Sequence, residues 1–462
     1  MPDLSALTLE AALDLVRQLL EANGELQAKV LTLEQQNADL QREIAGLRSP
    51  PGGGAGATAK PDWVKANRPP RPPDKEKRKK REQAFVRLKQ PPTRVEVHAV
   101  ERCPDCDRKL EGGWVHRTRE VIEIPAVPVE IIEHVLLARR CGVCAKRHVP
   151  RLDLSSVVVG KHRVGVRLMS FIGWLHEIGR MPIRRIQSLL MVLYGLHLSA
   201  GEICEVLHTL AKKGEPAYGD LQKAVQAHPF VHADETGWRE DGVNGYLWSF
   251  STPTVRFFVH DKSRSHEVPE RVLGAGWKGI LCSDFYSGYY YHPGLHQRCW
   301  VHFSRDLKAL KEKHPDDLGV SRWVDGVLDI YHRAKHYQNG DPRQRVKARE
   351  QYQSELAGLA EPYARSDCPQ RVLAERAVRF LPELFTFVEH PDVPPDNNAA
   401  ERAIRPSVIA RKVSGGTRSD AGSKTRSVLM SLYATWQAQG RNVLAACQAM
   451  LAGKPQPAAG DA

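Results

Sequence analysis

Two short apolar runs that each end in an aspartate limit the folds open to this chain more than any other feature. Phe230 to Asp234 and Gly279 to Asp284 have the composition of buried strands that carry a carboxylate out of a sheet. Between them, two stretches alternate as strands do and a third has a helical pattern: Tyr246 to Ser251, Thr254 to His260 and Glu267 to Leu273. The sequence therefore predicts three meandering strands, a helix and a fourth strand, with the first strand broken after Asp234 by a threonine, a glycine and an aromatic residue.

That order of elements is the order of the ribonuclease-H-like α/β fold, in which the first and fourth strands are neighbours. We therefore expect Asp234 and Asp284 to end side by side. Two adjacent buried carboxylates repel each other, and one of them takes up a proton unless a cation binds between them. Mg²⁺ prefers oxygen ligands and keeps water and substrate phosphates in its other positions, so this pair indicates a site for Mg²⁺, or for Mn²⁺ in its place.

Glu401 is the candidate for a third carboxylate. It lies in a predicted helix that Asp396 would cap, and small residues between the two suit close packing of this helix on a sheet. A glutamate beside arginines is more often part of a surface ion pair, and only the two aspartates favour metal binding here. The 116 residues between Asp284 and Glu401 exceed what the fold needs, and charged amphipathic patterns predict a helical insertion at about 315–393.

A heptad repeat runs from Val16 to Leu47 within a predicted coiled-coil region at 1–49. Leucines recur seven apart at position d, and valine, isoleucine and asparagine fill position a. This combination favours a parallel two-stranded coiled coil, because a buried asparagine pair penalises other registers. The repeat predicts a leucine zipper that makes a homodimer or higher oligomer; a single amphipathic helix packed on the body is the alternative.

Residues 50–94 are rich in glycine, proline, lysine and arginine, which predicts a linker. Residues 60–94 alone hold 13 Lys and Arg against 4 Asp and Glu. Such a segment is either a solvated tether or a contact to nucleic-acid phosphates, and the two interpretations are compatible.

Four cysteines in two pairs predict a zinc-binding ribbon over residues 95–155. Cys103 and Cys106 form one CxxC pair, and Cys141 and Cys144 form a second pair 34 residues later. Four thiolates with this local spacing are typical of a structural tetrahedral Zn²⁺ site. The alternating stretch from 120 to 134 predicts strands between the pairs. Redox chemistry is the alternative, but it needs only one such pair.

Residues 160–225 are predicted to be a helical DNA-binding region. One helix runs from Pro182 to Tyr194, and Ser199 with Glu202 forms a capping box for a second helix, from Ala200 to Lys213. Two helices joined by a short turn indicate either a helix-turn-helix or a plain helical hairpin.

Bulk composition agrees with a nucleic-acid partner. The formal net charge is +13 over 462 residues, which favours a polyanionic partner. No apolar stretch reaches the roughly 20 residues that a membrane helix needs, and no signal peptide is evident. We expect a cytoplasmic protein at the nucleoid, with reduced cysteines and no membrane association.

Four motifs resemble those of insertion sequence 66 transposases: His232 to Trp238, Ser283 to Tyr289, Cys299 to His302 and Asp396 to Arg405. The resemblance covers nearly the whole chain, including the zipper, the zinc region and a helical C-terminal region at 413–455. It implies a DDE catalytic domain at 226–412 in which Asp234, Asp284 and Glu401 bind the metal. The sequence leaves the role of Cys299 and His302 open between packing and contact with a DNA end.

The resemblance also implies a function. Such a protein binds the terminal inverted repeats of its element, cleaves the 3′ ends with an activated water and joins them to target DNA, with other element-encoded proteins as possible partners. Two alternatives stay open at this point: a ribonuclease-H-like nuclease or resolvase without strand transfer, and a DNA-binding regulator without catalysis. Four basic residues in the C-terminal part are candidate phosphate contacts, unless their loop is simply solvated: Lys412, Arg418, Lys424 and Arg426.

Overall fold

The computed structural model describes residues 91–124, 128–337 and 340–455, together with a few helical positions before residue 37. The predicted coiled coil at 1–49 and linker at 50–94 therefore lie almost entirely outside the described residues. The chain divides into two compact units, Met1–Ile122 and Glu123–Ala462, and the second unit carries the sheet and the long helices.

The second unit begins with two short strands and three helices: β1 (Arg139–Arg140), β2 (Arg147–His148), α1 (Val166–Glu177), α2 (Ile183–Tyr194) and α3 (Ala200–Ala227). A central α/β segment follows: β3 (Phe230–Glu240), β4 (Val243–Ser251), β5 (Arg256–Asp261), α4 (Glu267–Leu273), β6 (Ile280–Ser283) and β7 (His296–Arg298). The rest is helical: α5 (Trp300–Lys313), α6 (Leu318–Tyr337), α7 (Arg345–Ala364), α8 (Arg371–Arg379), α9 (Leu381–Leu384), α10 (Thr386–Glu389), α11 (Asn398–Ser414), α12 (Asp420–Ala438) and α13 (Val443–Leu451).

Five strands form one mixed sheet in the order β5-β4-β3-β6-β7. Strands β3, β4 and β5 form an antiparallel meander, and β6 pairs with β3 in parallel. The predicted neighbourhood of the first and fourth strands is confirmed, as is the helix from Glu267 to Leu273 between them. Apolar residues of β3, β4 and β5 form the core beneath the sheet, including Val231, Trp248 and Phe257.

Strand β3 does not end after Asp234, and this part of the prediction is wrong. It continues to Glu240, because β4 pairs with it along its whole length, from His232 opposite Ser251 to Glu240 opposite Val243. The hairpin then closes through Asp241 and Gly242, whose φ angles of 50° and 80° match a two-residue type I′ turn. The glycine at 237 is tolerated inside the strand because cross-strand pairing compensates for its low intrinsic propensity.

Helix α3 is twice as long as predicted. The capping box is present, since Ser199 accepts from the backbone of Glu202 and Glu202 accepts from that of Ser199, but the helix runs past Lys213 to Ala227. Its second half is held by the sheet: the ring of Tyr218 stacks on Phe257 at 4.7 Å, and its hydroxyl donates to the carbonyl of Phe258 at 2.7 Å. Tertiary packing therefore extends the helix beyond its local signals.

Helices rather than strands cover both outer edges of the sheet. On the β5 side, hydroxyls of α12 accept from alternate backbone N–H groups: Thr435 from Arg256 at 2.9 Å, Ser431 from Phe258 at 2.8 Å and Ser427 from His260 at 3.0 Å. On the β7 side, Thr386 of α10 donates to the carbonyl of His296. On an edge strand every second N–H group points outward. The distance between two such groups is close to the distance between residues four apart on one face of a helix.

Helices α6 to α10 occupy the long interval between the last strand and α11. They share a hydrophobic core of their own with α5, in which Trp300 stacks on Tyr331 at 4.6 Å and Trp323, Val324 and Phe385 are buried. The strands predicted between the cysteine pairs are not found in the described part of 120–134. The short strands β1 and β2 instead lie on either side of the second pair.

Candidate active site

Asp234 and Asp284 lie at equal distances beyond the last paired residues of two parallel strands. The β3–β6 ladder ends at His232 opposite Cys282, and each aspartate follows two residues later. Side chains two residues apart on a strand point to the same face, so both carboxylates leave the same end of the sheet. The placement is the one that the sequence predicts.

The electrostatic environment of Asp234 confirms that several carboxylates are close together. Burial raises the pKa of Asp234 to about 7, and the charges of Glu235, Asp284 and Glu401 add to this increase. A hydrogen bond from the backbone N–H of Glu235 opposes it only in part. A half-buried carboxylate with a raised pKa among other carboxylates is the arrangement that a divalent cation relieves.

Helix α11 brings Glu401 to this end of the sheet, and Asn397 at its start holds the helix in place. The buried amide of Asn397 donates to the carbonyl of Ala233 at 2.7 Å, and its oxygen pairs with Nδ1 of His232 at 3.1 Å. The helix is capped one residue later than predicted, at Asn397 rather than Asp396. Sequence reasoning missed this contact, since nothing local indicates that an asparagine would reach across to a strand 164 residues away.

His232 and Glu235 are both held by neighbouring side chains. Burial lowers the pKa of His232 to about 4, so its ring is neutral and donates through Nδ1 to Asn397. Glu235 pairs with Arg264 at 2.6 Å and accepts from the hydroxyl of Tyr289. Burial raises the pKa of Glu235 in spite of these two partners.

Cys299, His302 and Glu401 form the close group of potential metal ligands found among the described residues. One ligand atom of each lies within 4.8 Å of the others, and Nδ1 of His302 is 3.6 Å from Oε1 of Glu401. The thiol of Cys299 is buried, which raises its pKa to about 11, and it accepts from the N–H of Asn397 at 3.2 Å. The Cys-x-x-His pair thus packs against the start of α11, on which Glu401 lies.

Asp234, Asp284 and Glu401 do not form an equally close group among the described residues. The Glu401 side chain is 38% exposed and faces His302, and its Oε1 is buried without a hydrogen-bond partner. Two metal ions about 3.5–4 Å apart bridge carboxylates that do not touch one another. The three oxygen-donor side chains fit Mg²⁺ or Mn²⁺ in chemistry.

The two cysteine pairs adopt the same turn, although Cys103 and Cys106 belong to the first unit and Cys141 and Cys144 to the second. In each turn the first cysteine donates its N–H to the residue five positions later and accepts from the residue four positions later. That fourth residue has a positive φ, 59° at Asp107 and 55° at Ala145.

Backbone N–H groups aimed at the first sulfur in each pair lower the pKa of Cys103 and of Cys141. Stabilised thiolates at the tip of such a turn are suited to a metal ligand. Each pair on its own therefore fits the predicted Zn²⁺ chemistry.

Comparison with known proteins decides the family. The pattern described as "Transposase IS66 family" matches residues 161–425, more than half of the chain and a range that includes all three carboxylates. The chain belongs to the IS66 family of transposases. A curated relative, the uncharacterized protein y4jO of Sinorhizobium fredii, is 30% identical over 154 residues, which are 32% of this chain.

The match to y4jO spans 46% of that protein, so the chain covers about half the length of this relative. The family match covers the α/β core together with helices on either side of it. The cysteine pairs lie before the matched range. Among the described residues, no helix is both long and apolar enough to cross a membrane.

Proposed function

We propose that this IS66-family protein is a DDE transposase. It binds the terminal inverted repeats of its element as double-stranded DNA, cleaves their 3′ ends and joins them to target DNA by metal-dependent phosphoryl transfer. The observation that carries the proposal is the parallel pairing of β3 with β6, which brings Asp234 and Asp284 to the same end of the sheet, where burial and the neighbouring carboxylates raise the pKa of Asp234. Family membership supports the same chemistry.

Each of the three carboxylates has a distinct support. Asp234 extends from the centre of the sheet, where β3 is paired on both sides, and Asp284 is fixed through its backbone carbonyl, which accepts from Arg298 at 2.8 Å. Glu401 lies on helix α11, which Asn397 holds against β3. If these three side chains hold Mg²⁺ or Mn²⁺, the metal would activate water and stabilise the leaving oxygen. The protein contributes position and charge, as is usual in phosphoryl transfer.

The partners follow from the proposal. DNA of the element ends and of the target is the substrate, and the basic segment at 60–94 supports sequence-independent contact with it. The heptad repeat at 1–49, which lies outside the described residues, supports a homodimer or higher oligomer that holds two ends. Other element-encoded proteins are further partners in this proposal, and the nucleoid is its site of action. The paired cysteines support a structural Zn²⁺.

Purified full-length protein with a labelled duplex carrying the element end, a plasmid target and Mg²⁺ or Mn²⁺ tests the proposal. We expect nicking at the 3′ end and joining of the nicked strand to the plasmid. Asp234→Asn, Asp284→Asn and Glu401→Gln should each abolish both steps, while Glu312→Gln, at an exposed position of α5, should abolish neither. Metal-dependent nicking that survives all three substitutions would refute the mechanism, and nicking without joining would indicate a nuclease or resolvase.

A further inference from the structure

An open basic cleft lies farther along β3 from Asp234. The β3–β4 hairpin forms one wall, the loop between α11 and α12 forms the other, and the volume is about 570 Å³. Three of its lining residues are arginines, Arg239, Arg411 and Arg418, and none of the residues that line it is acidic. Several others are glycines, so few side chains obstruct the opening. A cleft of this composition is suited to an anion.

The sequence holds the two walls together through backbone contacts. Thr417 donates its N–H to the carbonyl of Arg239 at 2.9 Å and accepts from the N–H of Asp241 at 2.8 Å. The indole of Trp238 donates to the Thr417 hydroxyl at 3.2 Å. A Cβ at position 416 would lie 1.9 Å from the carbonyl oxygen of Arg239, so this close approach requires a glycine. The cleft is therefore a built feature of the fold.

Glu240, the acidic residue next to Arg239, does not neutralise the arginines of the cleft. Glu240 follows Arg239 on β3, but alternation turns it to the other face, where it accepts from Ser423 at 2.6 Å and lies 3.6 Å from Lys262. Arg411 donates to the carbonyl of Gly237, a neutral partner. The field in the cleft therefore stays positive.

The same geometry corrects the candidate phosphate contacts suggested by sequence. Arg426 is buried and pairs with Glu177 at 3.2 Å, and Lys424 pairs with Glu215 at 2.6 Å. Of the four candidates, Arg418 lines the cleft. Arg239 and Arg411 were not among the candidates, although Arg411 directly precedes Lys412 in helix α11.

We propose that this cleft binds the phosphodiester backbone of double-stranded DNA. Arginine forks match phosphate oxygens, and a glycine-rich wall lets a backbone approach closely. Strand rise places Arg239 about 17 Å along β3 from Asp234, which is about five base pairs of helix axis. Because the two residues are an odd number of positions apart on a regularly paired strand, their side chains point to opposite faces of the sheet, so the cleft is a DNA contact outside the active site. The inference rests on the proposed function, because it takes DNA as the substrate.

The test measures binding to a labelled duplex of about 30 base pairs by fluorescence anisotropy over a series of salt concentrations. All proteins carry Asp234→Asn, so nicking cannot interfere. We expect Arg239→Ala with Arg418→Ala to reduce the slope of log affinity against log salt by about 2, because each lost phosphate contact contributes about 0.9. Arg239→Lys with Arg418→Lys should keep most of the slope, and thermal melting verifies that each variant is folded.

Arg322→Ala with Arg371→Ala is the matched control, since both arginines are exposed on helices α6 and α8, outside the cleft. An equal loss of slope in this control, or an unchanged slope in the cleft variant, would overturn the inference. Thermal stabilisation by inorganic phosphate that the cleft variant loses, without any change in its DNA affinity, would also overturn it and identify a free-anion site. Failure of the wild-type protein to nick DNA would overturn the proposed function alone, because this measurement does not depend on nicking.

Discussion

Nε of Arg298, on the last strand of the sheet, lies 2.5 Å from a carboxylate oxygen of Glu383, on helix α9. The other end of the guanidinium donates to the Ser283 hydroxyl at 3.1 Å and to the Asp284 carbonyl at 2.8 Å. Arg298 is 1% exposed, and its guanidinium lies over the rings of Tyr290 and Phe380. The helical insertion is thus coupled through one side chain to the strand end that carries Asp284.

Replacing Arg298 should therefore cost more than replacing its partner. Arg298→Met leaves Glu383 and the Asp284 carbonyl without their donor, and we expect a loss of about 2–4 kcal/mol in the free energy of unfolding. Glu383→Gln should cost about 1 kcal/mol, because this side chain is 30% exposed and the amide still accepts a hydrogen bond. Urea denaturation measures both, and equal losses would contradict the asymmetry.

The pKa of Asp234 predicts how stability depends on pH in the metal-free protein. Its pKa is about 7 when folded and near 3.8 when unfolded, so the folded state retains the proton more strongly. The resulting stabilisation is complete below pH 4 and is lost as the pH rises through 7. At pH 8, Asp234→Asn should be more stable than wild type by on the order of 3 kcal/mol, and at pH 4 the two should be similar.

Thermal melting in EDTA at both pH values measures this difference. Addition of Mg²⁺ at pH 8 should raise the Tm of the wild type but not that of Asp234→Asn. A stability difference between wild type and Asp234→Asn that is the same at pH 4 and pH 8 would show that the pKa of Asp234 is not raised in the folded state.

Loss of the Asn397 amide should loosen the helix that carries Glu401. Asn397→Ala removes the partners of the Ala233 carbonyl and of the neutral His232 ring, both buried, and we expect a loss of about 2–4 kcal/mol. Asn398→Ala, one position along at the half-buried first residue of α11, is the control and should cost less than 1 kcal/mol. Chemical denaturation compares them, and similar losses would remove the role given to Asn397.

Zinc content tests the cysteine pairs directly. Purified protein should contain one Zn²⁺ per chain by metal analysis, and Cys103→Ser or Cys141→Ser should lower the content to near zero, because a structural site needs all four thiolates. Cys368→Ser, a cysteine outside both CxxC pairs, should leave it unchanged. Full zinc content in the Cys141→Ser protein would exclude a four-cysteine site.

The sequence predicted the elements whose signals are local. The start of β3 at Phe230, the end of β6 just before Asp284, the Ser199 capping box and the glycine after Tyr194 all correspond to observed boundaries. The lengths of β3 and α3 were underestimated, because pairing with β4 and packing against the sheet extend both elements past residues that usually end them.

Contacts across long sequence distances could not be predicted in the same way. Nothing near Arg298 indicates that it would reach Glu383, and nothing near Asn397 indicates a contact with Ala233. One signal was available and was missed: hydroxyl residues recur every fourth position from Ser423 to Thr435, which marks a polar stripe on a helix that is otherwise buried.

The hydroxyl stripe of α12 and the contacts of α10 have a practical consequence for dividing this protein into parts. These helices cover N–H and C=O groups at the two edges of the sheet. If exposed, such groups would pair with a strand of another molecule. A shortened chain that stops before residue 420, or that lacks 318–389, would retain all five strands and yet carry a bare sheet margin. Such fragments should precipitate or form intermolecular sheets, so the smallest soluble version of this fold includes helices that contribute no catalytic group.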